Sequence, residues 1–365
     1  MKKAFFVAST GQHVGKTTTC LGLISGLKKR FNEVGFIKPV GQEHVLTESG
    51  VRVDKDVLLF NETFSLSDSF ETMSPVLFPR GFTRDYLDGK VDSRSLLSKV
   101  ESSFNEIAKS RDVVVVEGTG HVGVGSICEL SNAAVAKALG LDIIIIASGG
   151  LGSSFDAIAV NKALCDQFGL RIAGVILNRV LDDKRAMVQN YMQKALMRWN
   201  IPLIGCIPFD PFLCNPSMKD FESLFNATLL SGERYHMRHF RHTRLIATPL
   251  STYKKLIQPS QLIITPSARE DIINATIDYQ KAHGNLKAGM ILTGEEQPSH
   301  ETVAKLKQAD IPMLFTPVSS YKAMQLITSY TVKIQREDTE KIQEAINVVE
   351  NHIDFDRLCT LTRLH

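Results

Sequence analysis

The sequence predicts an α/β protein whose first domain is a doubly wound parallel sheet and whose second, smaller domain is also α/β. Short runs of β-branched residues alternate with stretches of helical periodicity along the chain. Nearly continuous apolar strands separated by helices are typical of a parallel sheet buried on both faces. In addition, a chain of 365 residues exceeds what one hydrophobic core usually serves, so we expect two domains.

The first domain is predicted over residues 1–212 and the second over residues 213–365. The strands of the first domain are expected at 4–8, 34–37, 113–116, 143–147, 172–177 and 203–207. A group of prolines marks the end of this domain: Pro202, Pro208, Pro211 and Pro216. The strands of the second domain are expected at 244–247, 262–265, 288–292 and 312–315. The second domain closes on a C-terminal helix over 338–351, whose apolar residues recur at helical spacing.

Composition and charge exclude several classes of protein. The chain is 44% hydrophobic and 22% charged with a net charge of +3, and without a long basic stripe it is expected to bind no nucleic acid. Its apolar runs are strand-sized, far below the roughly 20 residues of a membrane span, so no membrane association is expected. The six cysteines include no C-x-x-C pair, which favours buried thiols in a reducing compartment. We therefore expect a cytoplasmic protein.

A phosphate-binding loop (P-loop) is predicted between the first strand and the first helix. The segment 9–17 reads S-T-G-Q-H-V-G-K-T, and the common pattern G-x-x-x-x-G-K-[ST] has glycine where this chain has Thr10. Backbone N–H groups and the helix dipole attract phosphates at such a junction. Gly15 allows close approach of the backbone, Lys16 supplies a mobile positive charge, and the Thr17 hydroxyl can bind Mg²⁺. We expect ATP with Mg²⁺ to bind the following residues: Gly11, Gln12, His13, Val14, Gly15, Lys16, Thr17 and Thr18.

Further charged residues are expected near this loop. Glu117 directly follows the apolar strand 113–116. A carboxylate at the carboxyl end of a parallel strand points to the crevice where ligands bind. Glu117 is therefore expected to bind Mg²⁺ or to position water. Within V-D-K-D at 53–56, either aspartate can reach the metal, or the segment is a surface turn. Lys38 ends the second strand, and three interpretations of it are open. It stabilises a transferring phosphoryl group, it binds a carboxylate, or it is an ordinary lysine at the end of a strand. The candidate catalytic residues are Lys16, Lys38 and Glu117.

Six motifs follow one another along the first domain. They are V-G-K-T at 14–17, F-I-K-P-V at 36–40, D-V-L-L at 56–59, V-E-G-T-G at 116–120, I-L-N-R-V at 176–180 and I-G-C-I-P at 204–208. Their order resembles that of the dethiobiotin synthetase family. The resemblance implies that MgATP is held by Lys16, Thr17, Asp56 and Glu117. Of these four residues, it implies that Thr17, Asp56 and Glu117 are the metal ligands. It also implies that Asn178 contacts the adenine, with Pro208 nearby. Lys38 then matches a lysine between the γ-phosphate and a substrate carbamate.

Three segments stand out in the second half of the chain. They are L-I-I-T-P-S-A-R-E-D-I-I at 262–273, G-M-I-L-T-G at 289–294 and Y-T-V-K-I at 330–334. These segments resemble the DRTGG domain. Together, the two halves resemble the N-terminal region of long bacterial phosphate acetyltransferases without their acetyltransferase domain. The resemblance implies a bacterial protein and, because relatives are commonly dimers, a homodimer.

Three functions are compatible with these features, in this order of preference. The first is a regulatory or sensory ATPase linked to metabolism, with weak turnover and a metabolic enzyme as its partner. The second is an ATP-dependent ligase that activates a carboxylate or carbamate and takes a small carboxylate or amine as substrate. Lys16, Lys38 and Glu117 favour the ligase, whereas S-T-G-Q at 9–12, where dethiobiotin synthetases have G-T-D-T, counts against it. The third is an interaction module with a vestigial site, and the retention of Lys16, Thr17 and Glu117 argues against it.

Overall fold

The structure is a computed structural model that describes residues 3–284 and 286–364. Contacts between residues divide the chain into two compact units. The first unit consists of residues up to 210 together with the residues from 334 onward, and the second consists of residues 211–333. Within the described residues, no helix is both long enough and apolar enough to cross a bilayer.

The first unit is built from strands and helices that largely alternate along the chain. Its first half contains β1 (Ala4–Ser9), α1 (Lys16–Lys28), β2 (Val34–Ile37), β3 (Val40–Gly41), β4 (His44–Leu46), β5 (Arg52–Asp54), α2 (Lys55–Phe64), α3 (Phe70–Met73), β6 (Val76–Leu77), α4 (Phe82–Leu87) and α5 (Ser93–Ala108). Its second half contains β7 (Val113–His121), α6 (Asn132–Leu139), β8 (Ile143–Ser148), α7 (Gly152–Gln167), β9 (Ile172–Val180), α8 (Arg185–Met197) and β10 (Leu203–Pro208). The polar insertion between β2 and β7 forms two small pairs of strands, β3 with β6 and β4 with β5.

Six parallel strands form the central sheet of the first unit, in the order β10-β9-β8-β1-β7-β2. The strands are buried apolar runs; residues 143–147 of β8, for example, are fully buried. The connection from β1 to β2 crosses the sheet in the opposite direction to the later connections. Because such crossovers are right-handed, α1 covers one face, whereas α5, α6, α7 and α8 cover the other. The predicted doubly wound parallel sheet is confirmed.

The second unit has a smaller sheet with helices on both faces. Its elements are α9 (Met218–Phe225), β11 (Leu229–Ser231), β12 (His242–Leu245), α10 (Leu250–Tyr253), β13 (Gln261–Pro266), α11 (Glu270–His283), β14 (Gly289–Thr293), α12 (His300–Ala309), β15 (Met313–Thr316) and α13 (Ser320–Ser329). The strand order is β11-β15-β14-β13-β12, with β11 antiparallel and the other strands parallel. One core cluster includes Ile272 of α11 and Leu306 of α12, and the other includes Phe221 of α9 and Ala323 of α13. The predicted second α/β domain is confirmed.

The chain returns to the first unit for its last two helices, α14 (Thr339–Glu350) and α15 (Phe355–Thr362). The second domain predicted over residues 213–365 includes this C-terminal part, whereas the structure places residues from 334 onward in the first unit. α14 packs so closely along α1 that a Cβ added at Gly22 would lie 2.3 Å from Val349 Cβ. In addition, α14 contacts β10 and α15 contacts β9. These helices cover the apolar sheet face beside α1, and the burial of that face is the physical reason for the return.

Candidate nucleotide-binding site

The loop between β1 and α1 has a compact conformation that requires glycine at its last position. Gly15 has a φ of +94°, in the left-handed region that favours glycine, and a Cβ added there would lie 2.2 Å from Asn178 Nδ2. Lys16 begins α1, and its Nζ donates to Ser9 Oγ at 3.0 Å. Burial lowers the pKa of Lys16 from its ordinary 10.5, and Glu117 opposes this effect. The lysine thus lies at a helix start whose N–H groups attract anions.

The other predicted contacts in the loop differ in accessibility. Gln12 and His13 are exposed, Gly11 and Thr18 are half-buried, and Val14 is buried. The exposed residues of the loop therefore precede the buried Val14, and half-buried residues lead from Gly15 into α1.

A buried lysine and three carboxylates converge beside the loop. Lys38 follows β2 and is 6% exposed. Its Nζ forms an ion pair with Asp56 and lies 3.4 Å from Asp54 Oδ1 and 3.7 Å from Glu117 Oε1. Burial by itself lowers the pKa of Lys38, but Asp56, Glu117 and Asp54 together raise it well above 10.5. Lys38 is therefore an internal cation and not an ordinary lysine at a strand end.

Glu117 lies within β7 and is fully buried. Its Oε1 accepts a hydrogen bond from Thr17 Oγ1 at 3.2 Å. Its Oε2 has no hydrogen-bond partner within the part of the chain that the structure describes. Burial raises the pKa of Glu117 from 4.5 to about 7, and Lys38 opposes this rise. Since a buried carboxylate oxygen without a donor is costly, this atom marks a position that suits a cation or a proton.

Both aspartates of the V-D-K-D segment reach the cluster, so the segment is not simply a surface turn. Asp54 caps α2, because its Oδ1 accepts a hydrogen bond from Asp56 N at 3.0 Å. Burial raises the pKa of Asp54, and Lys38 opposes this rise. The side chain of Asp56 is 26% exposed, whereas that of Asp54 is 3% exposed. Asp54 thus stabilises the helix start, and Asp56 is the more accessible carboxylate.

The donor atoms of this cluster fit a magnesium ion. Mg²⁺ prefers oxygen ligands and usually takes one or two carboxylates together with substrate phosphates. Thr17, Asp56 and Glu117 supply hydroxyl and carboxylate oxygens, and the Lys38 ammonium already lies among the carboxylates as a cation. In the described ranges, no group of three His, Cys, Asp or Glu side chains is spaced to hold a metal by itself. A magnesium ion held here would take the Thr17 hydroxyl and the carboxylates of Asp56 and Glu117 together with phosphate oxygens.

The two residues implied in adenine binding lie near the carboxyl ends of neighbouring strands. Asn178 of β9 is 4% exposed. Its Nδ2 donates to Val14 O at 2.9 Å, and its Oδ1 accepts from Arg179 N at 2.9 Å. Pro208 ends β10, is half-buried and pairs with Val180 of β9. Asn178 therefore contacts the P-loop itself.

Two buried asparagines that the sequence analysis did not identify also hold this region together. Asn161 of α7 donates through Nδ2 to Thr10 O at 3.3 Å and accepts through Oδ1 from Val122 N at 3.0 Å. Asn132 of α6 accepts from Thr119 N at 3.1 Å and donates back to Thr119 O at 2.7 Å. The P-loop and the end of β7 are thus connected by side-chain amides. The sequence signal that could have identified each of these residues is a single asparagine among the apolar residues of a helix.

Comparison with known proteins identifies both parts of the chain. A family model described as an AAA domain matches residues 3–217, more than half of the chain, and a model described as the DRTGG domain matches residues 222–330. The phosphate acetyltransferase of Pseudomonas aeruginosa is 28% identical over 374 residues, which cover 97% of this chain and 51% of that protein. The phosphate acetyltransferase of Nitrosomonas europaea is 28% identical over 364 residues, covering 96% of this chain and 50% of that protein.

The chain thus spans about half the length of the curated relatives that it matches. Among solved structures, the MinC:MinD cell division protein complex of Aquifex aeolicus is similar, with 17% identity and a TM-score of 0.37 over 58% of this chain and 83% of that chain. The predicted succession of a P-loop domain and a DRTGG domain is confirmed, as is the resemblance to phosphate acetyltransferases.

Proposed function

We propose that this chain, which belongs to the AAA domain family, is a MgATP-binding regulatory ATPase linked to metabolism. In this proposal the DRTGG domain transmits the nucleotide state to a metabolic enzyme or receives a signal from it. The observation that carries the proposal is the convergence of Lys16, Thr17, Lys38, Asp56 and Glu117 beside the P-loop. The proposal includes a bacterial cytoplasmic location and a homodimeric state.

Each residue of the cluster has a distinct proposed role. The N–H groups at the start of α1 and the Lys16 ammonium bind phosphate oxygens. Thr17, Asp56 and Glu117 hold Mg²⁺, which supplies charge neutralisation on the phosphates when bound. The Lys38 ammonium, whose pKa the neighbouring carboxylates raise well above 10.5, balances the negative charge of the site. Such a site works by positioning and by electrostatics, without covalent chemistry by the protein.

The curated relatives support the metabolic part of the proposal. They are named phosphate acetyltransferases and align with almost the whole of this chain. We therefore expect the regulated process to be one that such an enzyme serves.

A ligase that activates a carboxylate or carbamate is the second candidate, and the position of Lys38 favours it. A buried ammonium beside the P-loop, within 3.7 Å of Glu117 Oε1, suits the binding of a substrate carboxylate next to a transferring phosphoryl group. The ligase requires a small carboxylate or amine substrate, whereas the regulatory ATPase does not.

The deciding experiment measures ATP affinity and phosphate release from MgATP, with and without a panel of small carboxylates and amines. Lys16→Ala is the blank, and Lys28→Ala, which removes an exposed lysine from the other end of α1, is the matched control. Truncating one partner of a desolvated charge pair costs about 2–5 kcal/mol, so Lys16→Ala should weaken ATP binding at least about 30-fold. Slow turnover that no compound stimulates supports the regulatory ATPase, and stimulation by one compound supports the ligase. Unchanged ATP affinity in Lys16→Ala would refute the assigned site.

A further inference from the structure

We propose that the outer edge of the second unit's sheet, at strand β12, is a docking site for an acidic segment of a protein partner. The segment binds in an extended conformation and adds a strand to the sheet. The site lies on the second unit alone and does not depend on nucleotide binding by the first. Two independent features carry the proposal: unpaired backbone groups along β12 and an excess of positive charge in the surrounding segment.

Strand β12 is an open edge of a parallel sheet. Among the described residues, β13 is its one neighbouring strand. Ile246 N, just after β12, donates to Ile264 O of β13 at 2.8 Å. Because successive residues of a strand direct their N–H and C=O groups to opposite sides, those of Thr243 and Leu245 point away from the sheet. Thr243 is exposed and Leu245 is 36% exposed, so a further strand can pair with these groups.

The segment that contains β12 carries many cations and no acidic residue. Between Glu233 and Glu270, the sequence has seven Lys or Arg residues and neither Asp nor Glu. Three of these cations contact a carboxylate or an aromatic ring of the fold, and they are Arg234, Arg238 and Arg269. The other four form no ion pair within the described part of the chain: Arg241, Arg244, Lys254 and Lys255.

These four cations flank the open edge. Arg241 directly precedes β12, Arg244 lies within it, and both lysines follow α10 on the connection from β12 to β13. Arg241 and the two lysines are exposed, and Arg244 is half-buried. The edge therefore combines free backbone hydrogen-bonding groups with positive charge that the fold itself does not neutralise.

This charge selects among the molecules that match the edge. A second copy of β12 would bring its own arginines beside these, and like charges on facing strands are destabilising. A cationic edge in this way protects a sheet against pairing with itself, but it attracts a strand that carries carboxylates. A nucleic acid has the matching charge but lacks the peptide N–H and C=O groups that continue a sheet. An acidic polypeptide in extended conformation satisfies both features.

Binding of defined probes to the full chain tests the proposal. The probe is a short peptide in which glutamate alternates with valine. It is compared with the same peptide carrying lysine in place of glutamate, with a version whose backbone nitrogens are methylated, and with a single-stranded oligonucleotide of equal charge. Affinity is measured by calorimetry at about 0.05 M and about 0.5 M salt, and hydrogen exchange is followed at the Thr243 and Leu245 amides.

Two variants separate backbone pairing from charge. Thr243→Pro removes one outward N–H, and proline is tolerated on an edge strand where the N–H faces solvent. Thr243→Ala keeps that N–H and is its matched control. Arg241→Glu combined with Arg244→Glu reverses the charge of the edge. Lys219→Glu combined with Lys281→Glu is the control for charge, because it reverses two exposed lysines on α9 and α11.

The unmodified chain should bind the acidic peptide at least about 10-fold more tightly than the lysine peptide, and less tightly at high salt. Thr243→Pro and methylation of the peptide should each weaken binding at least about 5-fold. The double glutamate variant should weaken it at least about 10-fold, and both controls by less than about 2-fold. Exchange of the Thr243 and Leu245 amides should slow when the peptide binds.

Equal affinity for the acidic and lysine peptides, or no binding of either, would overturn the proposal. Binding that survives both Thr243→Pro and methylation of the peptide would reduce the edge to a patch of positive charge without strand addition. Tighter binding of the oligonucleotide than of the peptide would assign the edge to nucleic acid. If Thr243→Pro fails to fold, the methylated peptide and the exchange rates in the unmodified chain still decide whether a strand is added.

Discussion

Replacing Glu117 with glutamine should stabilise the protein at neutral and basic pH while weakening its site. Glutamine keeps the size of the side chain and an oxygen that can accept the hydrogen bond from Thr17 Oγ1. It removes the charge from a fully buried position where Oε2 has no hydrogen-bond partner among the described residues. The substitution therefore removes a desolvated charge without opening a cavity.

The magnitude follows from the pKa of Glu117, which burial raises from 4.5 to about 7 against the opposing effect of Lys38. Between these two pH values the folded protein keeps a proton that the unfolded chain has lost, so the free energy of unfolding falls as the pH rises. One pKa unit corresponds to about 1.4 kcal/mol, and the ionised carboxylate thus costs the folded state about 3 kcal/mol above pH 7. Below pH 4.5 the carboxyl is protonated in both states and this cost is absent.

The assay is urea denaturation of the full chain without nucleotide at pH 4.5, 6 and 8. Glu117→Gln should unfold at higher urea concentration than the unmodified protein at pH 8, by about 3 kcal/mol of unfolding free energy, and the difference should fall below about 0.5 kcal/mol at pH 4.5. Glu48→Gln, at an exposed position in the turn between β4 and β5, controls for the loss of one negative charge. It should change the stability by less than about 0.5 kcal/mol at every pH.

This prediction fails if Glu117→Gln is no more stable than the unmodified protein at pH 8, which would mean that Lys38 compensates fully for the burial of the carboxylate. It also fails if the advantage does not depend on pH, because the gain would then not arise from the titration of Glu117. The variant should also bind MgATP more weakly than the unmodified chain, because it removes a proposed metal ligand. A residue that destabilises the fold and strengthens ligand binding is the pattern expected of a functional site.

Two further substitutions test the neighbouring packing and charges. Lys38→Met leaves Asp56 and Glu117 without their buried cation, which should cost about 3–5 kcal/mol of unfolding free energy at pH 8. The cost should be smaller at pH 5, where Glu117 is protonated. If the variant and the unmodified protein are equally stable in urea at pH 8, the internal ion cluster is contradicted. Gly22→Ala should cost about 1–3 kcal/mol, because the new Cβ would lie 2.3 Å from Val349 Cβ. Gly152→Ala, where a Cβ would meet no atom within 4 Å, is its matched control and should unfold at the same or higher urea concentration.

The sequence predicts the strands of the first sheet well because their composition alone decides their environment. A run such as 143–147 is too apolar and too rich in β-branched residues for anything but a buried strand. The position of Glu117 after such a run similarly places it at the ligand-binding edge. Helical periodicity identifies the helix near 338–351 but not the sheet that it covers. Its assignment to the second domain was wrong because the spacing of apolar residues carries no information about the partner surface.

The polar part of the site was harder to predict, since it depends on contacts between distant segments. The V-D-K-D segment left the choice between Asp54 and Asp56 open, and the structure brings both to Lys38 in different roles. The resemblance implies that Asn178 contacts the adenine, and in the structure its Nδ2 also donates a hydrogen bond to Val14 O, 164 positions away in the chain. A buried amide can serve any of several backbone groups, and only the folded arrangement of β9 beside the loop determines which.

The packing of α1 links the nucleotide site to the C-terminal helices. Lys16 and Thr17 begin α1, and Gly22, further along the same helix, packs against Val349 of α14. In the chain, α14 follows closely on the second unit, which ends at residue 333. A tightly packed helix pair shifts as a unit instead of deforming gradually, so a displacement of α1 by bound phosphates would reach α14. Contact between α1 and α14 does not by itself show that the two helices are energetically coupled. The Gly22→Ala variant distinguishes mere contact from coupling. If this variant loses stability but keeps its ATP affinity, the α1–α14 contact only holds the fold; if both change, a perturbation at this contact reaches the nucleotide site through α1.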